Sequence, residues 1–241
     1  MVILHTNDLH GKLNSEAAEK LKALRPTADF YFDSGDCVKA GNVAVPLSID
    51  PVWARLADAR CTASVPGNRE FHVTEAGFRA KLAGCMHPVL AANLKWKTGK
   101  HKALLEDLDM DMDPLPSEMI MGDVAVFGVM VPMVTDKMAA KHISAFVNTS
   151  PIKAAMACVE RLRDSAKTII CLSHIGLTED LALASRVLGI DLILGGHSHN
   201  FLEEPIKVEE TWVCQTGSHA RFAGRYTFSN GTLSAEFFPL R

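Results

Sequence analysis

The chain contains 241 residues, of which 48% are hydrophobic and 22% are charged, and this composition is typical of a globular protein with a buried core. Its formal net charge is −3, with acidic and basic residues interspersed, so it lacks the broad cationic surface that binds a polynucleotide backbone. Its apolar stretches are too short to span a bilayer as helices. We therefore expect neither a polynucleotide nor a membrane as partner, and the sequence leaves the oligomeric state open.

One domain over residues 1–241 is the simplest interpretation, because no linker-like segment or abrupt change of composition divides the chain. The first motif begins almost at Met1, which leaves no room ahead of it for the parts of a secretory signal. The six cysteines are scattered without a C-x-x-C pair, and we expect them to be reduced and mostly buried. These features predict a single-domain cytoplasmic protein.

Apolar strands that end in polar loops alternate with helically spaced segments along most of the chain. This alternation predicts an α/β domain in which helices flank a sheet. Three late segments, joined in part by an Asn-Gly turn, instead predict antiparallel strands and thus a mixed sheet or sandwich. The predicted helices are 16–24, 51–60, 74–82, 151–162 and 179–188, and the predicted strands are 2–4, 30–32, 63–65, 124–134, 168–172, 191–194, 212–215, 224–228 and 233–237.

Polar side chains with metal-ligand chemistry follow five of the predicted strands. The carboxyl ends of strands are where ligand sites gather in open α/β sheets, so these segments can converge. Two carboxylates, one amide oxygen and four imidazoles suit Mn, Zn, Fe or Mg, and they are enough for two ions that share a carboxylate. Any one of these short motifs is common without a metal, so their combination is what indicates a site. The candidate ligands are Asp8, His10, Asp36, Asn68, His174, His197 and His199.

In this order the motifs resemble those of the calcineurin-like metallophosphoesterases. The flanking segments LHTNDLHG at 4–11, AANL at 91–94 and LSHIGL at 172–177 are similar to the branch that contains 5'-nucleotidases and 2',3'-cyclic phosphodiesterases. The resemblance covers nearly the whole chain. The motifs that carry it are Asp8-x-His10, Gly35-Asp36, Gly67-Asn68-x-Glu70, Ser173-His174 and Gly196-His197-x-His199.

The resemblance implies a four-layer αββα sandwich with mixed sheets and a centre for two divalent ions. We expect Mn²⁺ first, with Fe, Zn or Mg as alternatives, and a small phosphate ester or nucleotide as substrate. Two ions about 3.5–4 Å apart can activate a water molecule and bind the phosphate oxygens, so a metal-activated hydroxide would be the nucleophile. By this resemblance one ion would be held by Asp8, His10, Asp36 and His199, and the other by Asp36, Asn68, His174 and His197, with Asp36 bridging the two.

The chain departs from the family directly after Asn68. Family members have a histidine there that assists the leaving group, supported by an acid three positions later, whereas this chain has Arg69 and His72. Arginine stays protonated and cannot act as a general acid, but its planar fork can bind two phosphate oxygens. We therefore take Asn68, Arg69 and His72 as catalytic candidates and expect phosphodiesters such as 2',3'-cyclic nucleotides to be favoured over monoesters.

Several alternatives remain open at this stage. The chain could be a 5'-nucleotidase-like phosphomonoesterase, or a low-turnover metal- or nucleotide-binding sensor in which Arg69 and His72 are surface residues. His72 could itself donate the proton, and His219 is interpreted as a solvated loop histidine. Family nucleotidases carry a C-terminal nucleotide-recognition domain that this chain lacks, so we expect loose base specificity.

The acidic segment 106–113 has the alternating aspartates of a calcium-binding loop. It does not match that motif, because Pro114 replaces the required glycine and Ile120 replaces the bidentate glutamate. We interpret it as an exposed insertion with charges of both signs, or as part of a lid over the site.

Overall fold

The computed structural model describes residues 1–97 and 113–241, so most of the acidic segment 106–113, with the proposed insertion or lid, lies outside the described residues. The helices are α1 (Ser15–Leu24), α2 (Pro51–Asp58), α3 (Glu75–Leu82), α4 (Pro151–Leu162) and α5 (Leu177–Arg186). The strands are β1 (Val2–Thr6), β2 (Phe30–Asp33), β3 (Ala63–Ser64), β4 (Leu94–Trp96), β5 (Glu118–Met121), β6 (Val124–Met130), β7 (Phe146–Asn148), β8 (Thr168–His174), β9 (Leu192–Leu194), β10 (Ile206–Val208), β11 (Thr211–Cys214), β12 (Phe222–Ser229) and β13 (Thr232–Pro239).

Two mixed sheets form the centre of the fold. The first has the strand order β13-β12-β1-β2-β3, in which β1, β2 and β3 are parallel and β12 and β13 are antiparallel. The second has the order β10-β11-β9-β8-β6-β5, with four parallel central strands and an antiparallel strand at each edge. Strands β4 and β7 form a small separate antiparallel pair.

Three hydrophobic cores separate four layers. Side chains alternate between the two faces of a strand, so Ile3 of β1 points into the core between the sheets while Leu4 points into the core beneath α1 and α2. Helices α4 and α5 cover the outer face of the second sheet. The order of layers is therefore helices, sheet, sheet, helices, and the αββα sandwich is confirmed.

Most of the predicted elements are confirmed within a few residues. Asp50 caps α2, because its side chain accepts a hydrogen bond from the Val52 N–H, and Pro51 occupies the first turn as expected. The predicted run 124–134 is a strand only as far as Met130. The short strands β4, β7 and β10 were not predicted, because three residues are too few to show a period. No helix within 1–97 and 113–241 is long and apolar enough to cross a membrane.

Gly128 on β6 provides a test of the inter-layer packing. A Cβ at this position would overlap the backbone carbonyl of Leu90, which is fully buried and hydrogen-bonded through its N–H to Ser64. We expect Gly128→Ala to lower the free energy of unfolding by about 1–3 kcal/mol, as overpacking does in a dense core. Urea unfolding measures this, with Gly41→Ala as the control, because a Cβ there has no neighbouring atom within 4 Å. Equal stability of the two variants would contradict the packing described here.

Candidate metal centre

The seven candidate ligands come together where the parallel strands of both sheets end. Asp8 and His10 follow β1, Asp36 follows β2 and Asn68 follows β3, all in the first sheet. In the second sheet His174 is the last residue of β8, and the loop after β9 carries the other two histidines. The site thus lies at the seam between the two sheets.

The first group of side chains consists of Asp8, His10 and His199. The Nε2 atoms of His10 and His199 are 2.9 Å apart, and Asp8 Oδ1 lies 3.6 Å from the first and 3.3 Å from the second. Asp8 Oδ1 is buried and has no hydrogen-bond partner among the described residues. Three converging acceptor atoms with an unpaired carboxylate oxygen fit a cation.

The second group consists of Asp36, Asn68, His174 and His197. Asn68 Oδ1 lies 2.9 Å from His197 Nδ1 and 3.4 Å from His174 Nε2, which is in turn 3.5 Å from Asp36 Oδ1. Asp36 also approaches the first group, because its Oδ2 atom is 3.9 Å from His10 Nδ1. Asp36 therefore lies between the two groups, where a shared ligand is expected. The assignment of each side chain to one ion stays a prediction, since Asp8, Asp36 and His174 also form a close set.

Hydrogen bonds aim two of these side chains. His174 Nδ1 donates to the Ser34 carbonyl at 2.6 Å, which leaves Nε2 free to face Asp36. Asp8 Oδ2 accepts hydrogen bonds from Asn7 Nδ2 at 2.7 Å and from the His197 N–H at 2.9 Å, so Oδ1 is the oxygen that faces the first group. Both arrangements hold a lone pair toward the centre.

Glu70 joins the loops that follow β2 and β3. Its Oε2 atom accepts from the N–H groups of Asp36 and Gly67, each at 2.8 Å, and its Oε1 atom accepts from the Val38 N–H at 3.0 Å. The side chain is 1% exposed. The sequence indicated Glu70 only as part of a motif, whereas the structure shows that it fixes the backbone on both sides of Asp36.

Several of the candidate ligands adopt a left-handed backbone conformation that residues other than glycine rarely adopt. Such conformations concentrate at functional sites because the surrounding structure must hold them. Here the loops turn sharply after each strand and direct successive side chains to the same point. The φ angles are 51° at Asp8, 50° at His10, 54° at Asp36, 77° at His197 and 59° at His199.

Burial disfavours charge throughout the site. It raises the pKa of the Asp36 carboxyl to about 7, with a further rise from the nearby Glu70 carboxylate, and it raises the pKa of Asp8 to about 6. Burial lowers the pKa of His10 to about 3, helped by the Arg69 charge, and it lowers the pKa of His197 to about 4. Neutral imidazoles beside desolvated carboxylates are the state in which these groups bind divalent ions.

Arg69 lies at the site, whereas His72 contacts a helix terminus. The Arg69 N–H donates to Asp36 Oδ1 at 2.7 Å, and its Nε atom is 3.8 Å from Asp36 Oδ2. His72 Nδ1 accepts the Thr74 N–H at 3.1 Å, and its ring packs against Gly77 of α3. The structure thus gives Arg69 direct access to the centre, and the catalytic role of His72 stays a prediction.

His219 is a site residue that the sequence did not identify. Its ring centroid is 4.8 Å from that of His10 and 5.6 Å from that of His199, and its N–H donates to the Asp8 carbonyl at 2.7 Å. The interpretation of His219 as a solvated loop histidine is therefore wrong. The one sequence signal was a histidine in a Gly-bearing loop, which does not show where the loop folds.

The comparisons agree with this geometry. The family model described as calcineurin-like phosphoesterase matches residues 1–201. The chain belongs to this family. The phosphoesterase is 27% identical to the trifunctional nucleotide phosphoesterase protein YfkN of Bacillus subtilis (strain 168), over 93% of this chain and 18% of the relative. It is 25% identical to a 5'-nucleotidase of Homo sapiens, over 84% of this chain and 38% of the relative.

Among solved structures, the phosphoesterase resembles the 5'-nucleotidase precursor from Thermus thermophilus. The TM-score is 0.76 at 20% identity, and the match covers 99% of this chain and 54% of that one. This likeness shows the fold. The chain spans between about a fifth and about half of the length of these relatives.

Replacement of Glu70 tests whether its carboxylate holds the two loops together. In Glu70→Gln an amide N–H group replaces one of the two oxygens that accept backbone N–H groups, so donors face each other. Hydrogen bonds to charged groups contribute about 1.5–3 kcal/mol, and we expect a loss of this size in the free energy of unfolding of the metal-free protein.

The control for this prediction is Glu210→Gln, which removes a carboxylate that is 93% exposed and pairs with Lys207. We expect it to change the free energy of unfolding by about 0–1 kcal/mol. Chemical denaturation of both variants at one pH measures the difference. If Glu70→Gln is as stable as this control, the loops do not depend on the Glu70 carboxylate.

Proposed function

We propose that this phosphoesterase hydrolyses small phosphate esters with two divalent ions bound among the seven candidate ligands. The observation that carries the proposal is the convergence of two carboxylates, one amide oxygen and four imidazoles from both sheets, with Asp36 between the two groups. The relatives named as a nucleotide phosphoesterase and a 5'-nucleotidase support nucleotides as the substrate class.

The donor set fits the ions without the need for a protein nucleophile. Asp8, His10, Asp36 and His199 would hold one ion, and Asn68, His174 and His197 would hold the second together with Asp36. When bound, two divalent ions supply an activated water for in-line attack and neutralise charge on the phosphoryl oxygens. The residues of this chain orient the donors and keep them desolvated, which strengthens their interaction with a cation.

Arg69 is the residue that distinguishes this site chemically. Its side chain is 31% exposed while its Nε atom lies near the buried Asp36 carboxylate, so the remaining guanidinium N–H groups can reach a phosphate oxygen. A guanidinium stabilises developing negative charge but donates no proton to the leaving group. Esters with poor leaving groups therefore lose more than those with good ones, and this supports phosphodiesters such as 2',3'-cyclic nucleotides as the favoured substrates.

Two other functions remain as alternatives. A 5'-nucleotidase-like monoesterase agrees with the name of the human relative. A low-turnover metal- or nucleotide-binding sensor agrees with the absence of a histidine at position 69. Turnover of cyclic nucleotides, nucleoside monophosphates or neither separates these functions.

Replacement of Asp36 tests the dinuclear centre directly. In Asp36→Asn one anionic oxygen that both groups share is lost, so we expect fewer than two ions per chain and no measurable hydrolysis. Elemental analysis of protein equilibrated with Mn²⁺ measures the ion content. Asp123→Asn is the control, because its carboxylate is 69% exposed and pairs with Lys167 far from the site. Full metal content in Asp36→Asn would show that the assignment of ligands is wrong.

Replacement of Arg69 tests the missing proton donor. Arg69→His restores a group that can protonate the leaving oxygen, and general acid catalysis typically contributes about 10²–10⁴-fold. We expect kcat for AMP to rise by up to that factor, while kcat for bis(p-nitrophenyl) phosphate, which has a good leaving group, rises little.

Arg69→Gln is the matched variant, because it removes the charge without adding a proton donor. It should lower activity toward both substrates. An unchanged ratio of the two activities in Arg69→His, with two ions still bound, would contradict the proposed role of Arg69.

A further inference from the structure

The orientation of the Asn68 amide is controlled from outside the ligand set. Its Oδ1 atom lies between His197 and His174, at 2.9 Å and 3.4 Å from their ring nitrogens, while its Nδ2 atom donates to Asn42 Oδ1 at 2.9 Å. A side-chain amide that rotates by a half-turn exchanges its oxygen for an NH₂ group, and only the oxygen can bind a cation. The hydrogen bond to Asn42 is satisfied only in the orientation that turns the oxygen to the centre.

A buried lysine holds Asn42 in its turn. Lys81 on α3 is 1% exposed, and its ammonium group donates to the backbone carbonyls of Gly41 at 2.8 Å, Asn42 at 3.1 Å and Arg69 at 2.5 Å. These three hydrogen bonds use all the protons of the ammonium group. Because Arg69 follows Asn68 in the chain, Lys81 connects the backbone on the two sides of the Asn42–Asn68 hydrogen bond.

The rest of the loop between β2 and α2 gives Asn42 little other support. The side chain of Val43 is 89% exposed, and Leu47 further along is fully exposed. The base of the loop is closed by the Lys39 N–H, which donates to Asp50 Oδ2 at 2.8 Å. The contact with Lys81 is therefore what places Asn42 beside Asn68.

We propose that Asn42 is a positioning residue that presents the Asn68 oxygen to one of the two ions, and that Lys81 holds Asn42 in place. This inference rests on the proposed function, since it requires ions at the centre. Partners of this kind, which touch a ligand but not the metal, typically contribute about 10–100-fold to metal affinity.

The test is calorimetric titration of the chelator-treated full chain with Mn²⁺, which resolves the binding of the two ions. In Asn42→Ala the Asn68 amide loses its outer acceptor, so we expect one of the two binding steps to weaken by about 10–100-fold while the other is unchanged. In Asn42→Asp a carboxylate oxygen can again accept from Asn68 Nδ2, and the affinity should stay close to that of the parent protein.

Two controls separate the hydrogen bond from other effects of the substitutions. Val43→Ala shortens an exposed neighbouring side chain and should leave both affinities unchanged. The double variant Asn42→Ala/Val43→Asp adds the same negative charge one residue away from the hydrogen bond, and it should remain as weak as Asn42→Ala. Thermal unfolding of each metal-free variant confirms that the chain is folded.

Three results would overturn the inference alone, provided that the parent protein binds two ions. These are parent-like affinity in Asn42→Ala, an Asn42→Asp variant as weak as Asn42→Ala, and full rescue by the displaced aspartate. A parent protein that does not bind two ions overturns the proposed function, and this inference with it.

Discussion

Two buried carboxylates, Asp8 and Asp36, face one small space at the seam between the sheets, and the arrangement of the site follows from the cost of placing them there. Each is at most 3% exposed, and both have a raised pKa because burial disfavours the charged form. Backbone N–H groups and an asparagine side chain stabilise part of each carboxylate, yet Asp8 Oδ1 has no partner among the described residues. A site that keeps acceptors unpaired at this cost is suited to cations, since metal binding recovers the lost solvation.

The loops around these carboxylates depend on supports that do not touch the centre. Glu70 fixes the backbone before and after Asp36 through three N–H groups, and Lys81 fixes the backbone beside Asn68 through three carbonyls. One residue thus satisfies donors and the other satisfies acceptors of neighbouring loops. Both side chains are almost fully buried, so each loop retains its left-handed turn without a regular secondary structure to hold it.

The sequence predicted the ligand side chains well because each one follows a strand whose apolar pattern is local. The order of the four layers could be expected only through the family resemblance, since strand pairing between distant segments has no local signal. His219, Asn42 and Lys81 were not predicted for the same reason. Lys81 has the sequence context of a solvated lysine in the last turn of a helix, and only the folded loop at Gly41 and Asn42 buries its ammonium group. Contacts between residues 40 positions apart, such as Lys81 with Gly41, depend on tertiary structure.

The contacts of residue 69 explain how the leaving-group chemistry can differ while the ligand set is complete. The N–H group of Arg69 donates to Asp36, and its carbonyl accepts from Lys81, so both contacts that shape the centre are made by the backbone. Backbone contacts are available to any residue that is not proline. The side chain of residue 69 can therefore change without displacing Asp36 or the loop that carries Asn68. The position that selects the ester is thus structurally separate from the positions that would hold the ions, although it lies between them in the fold.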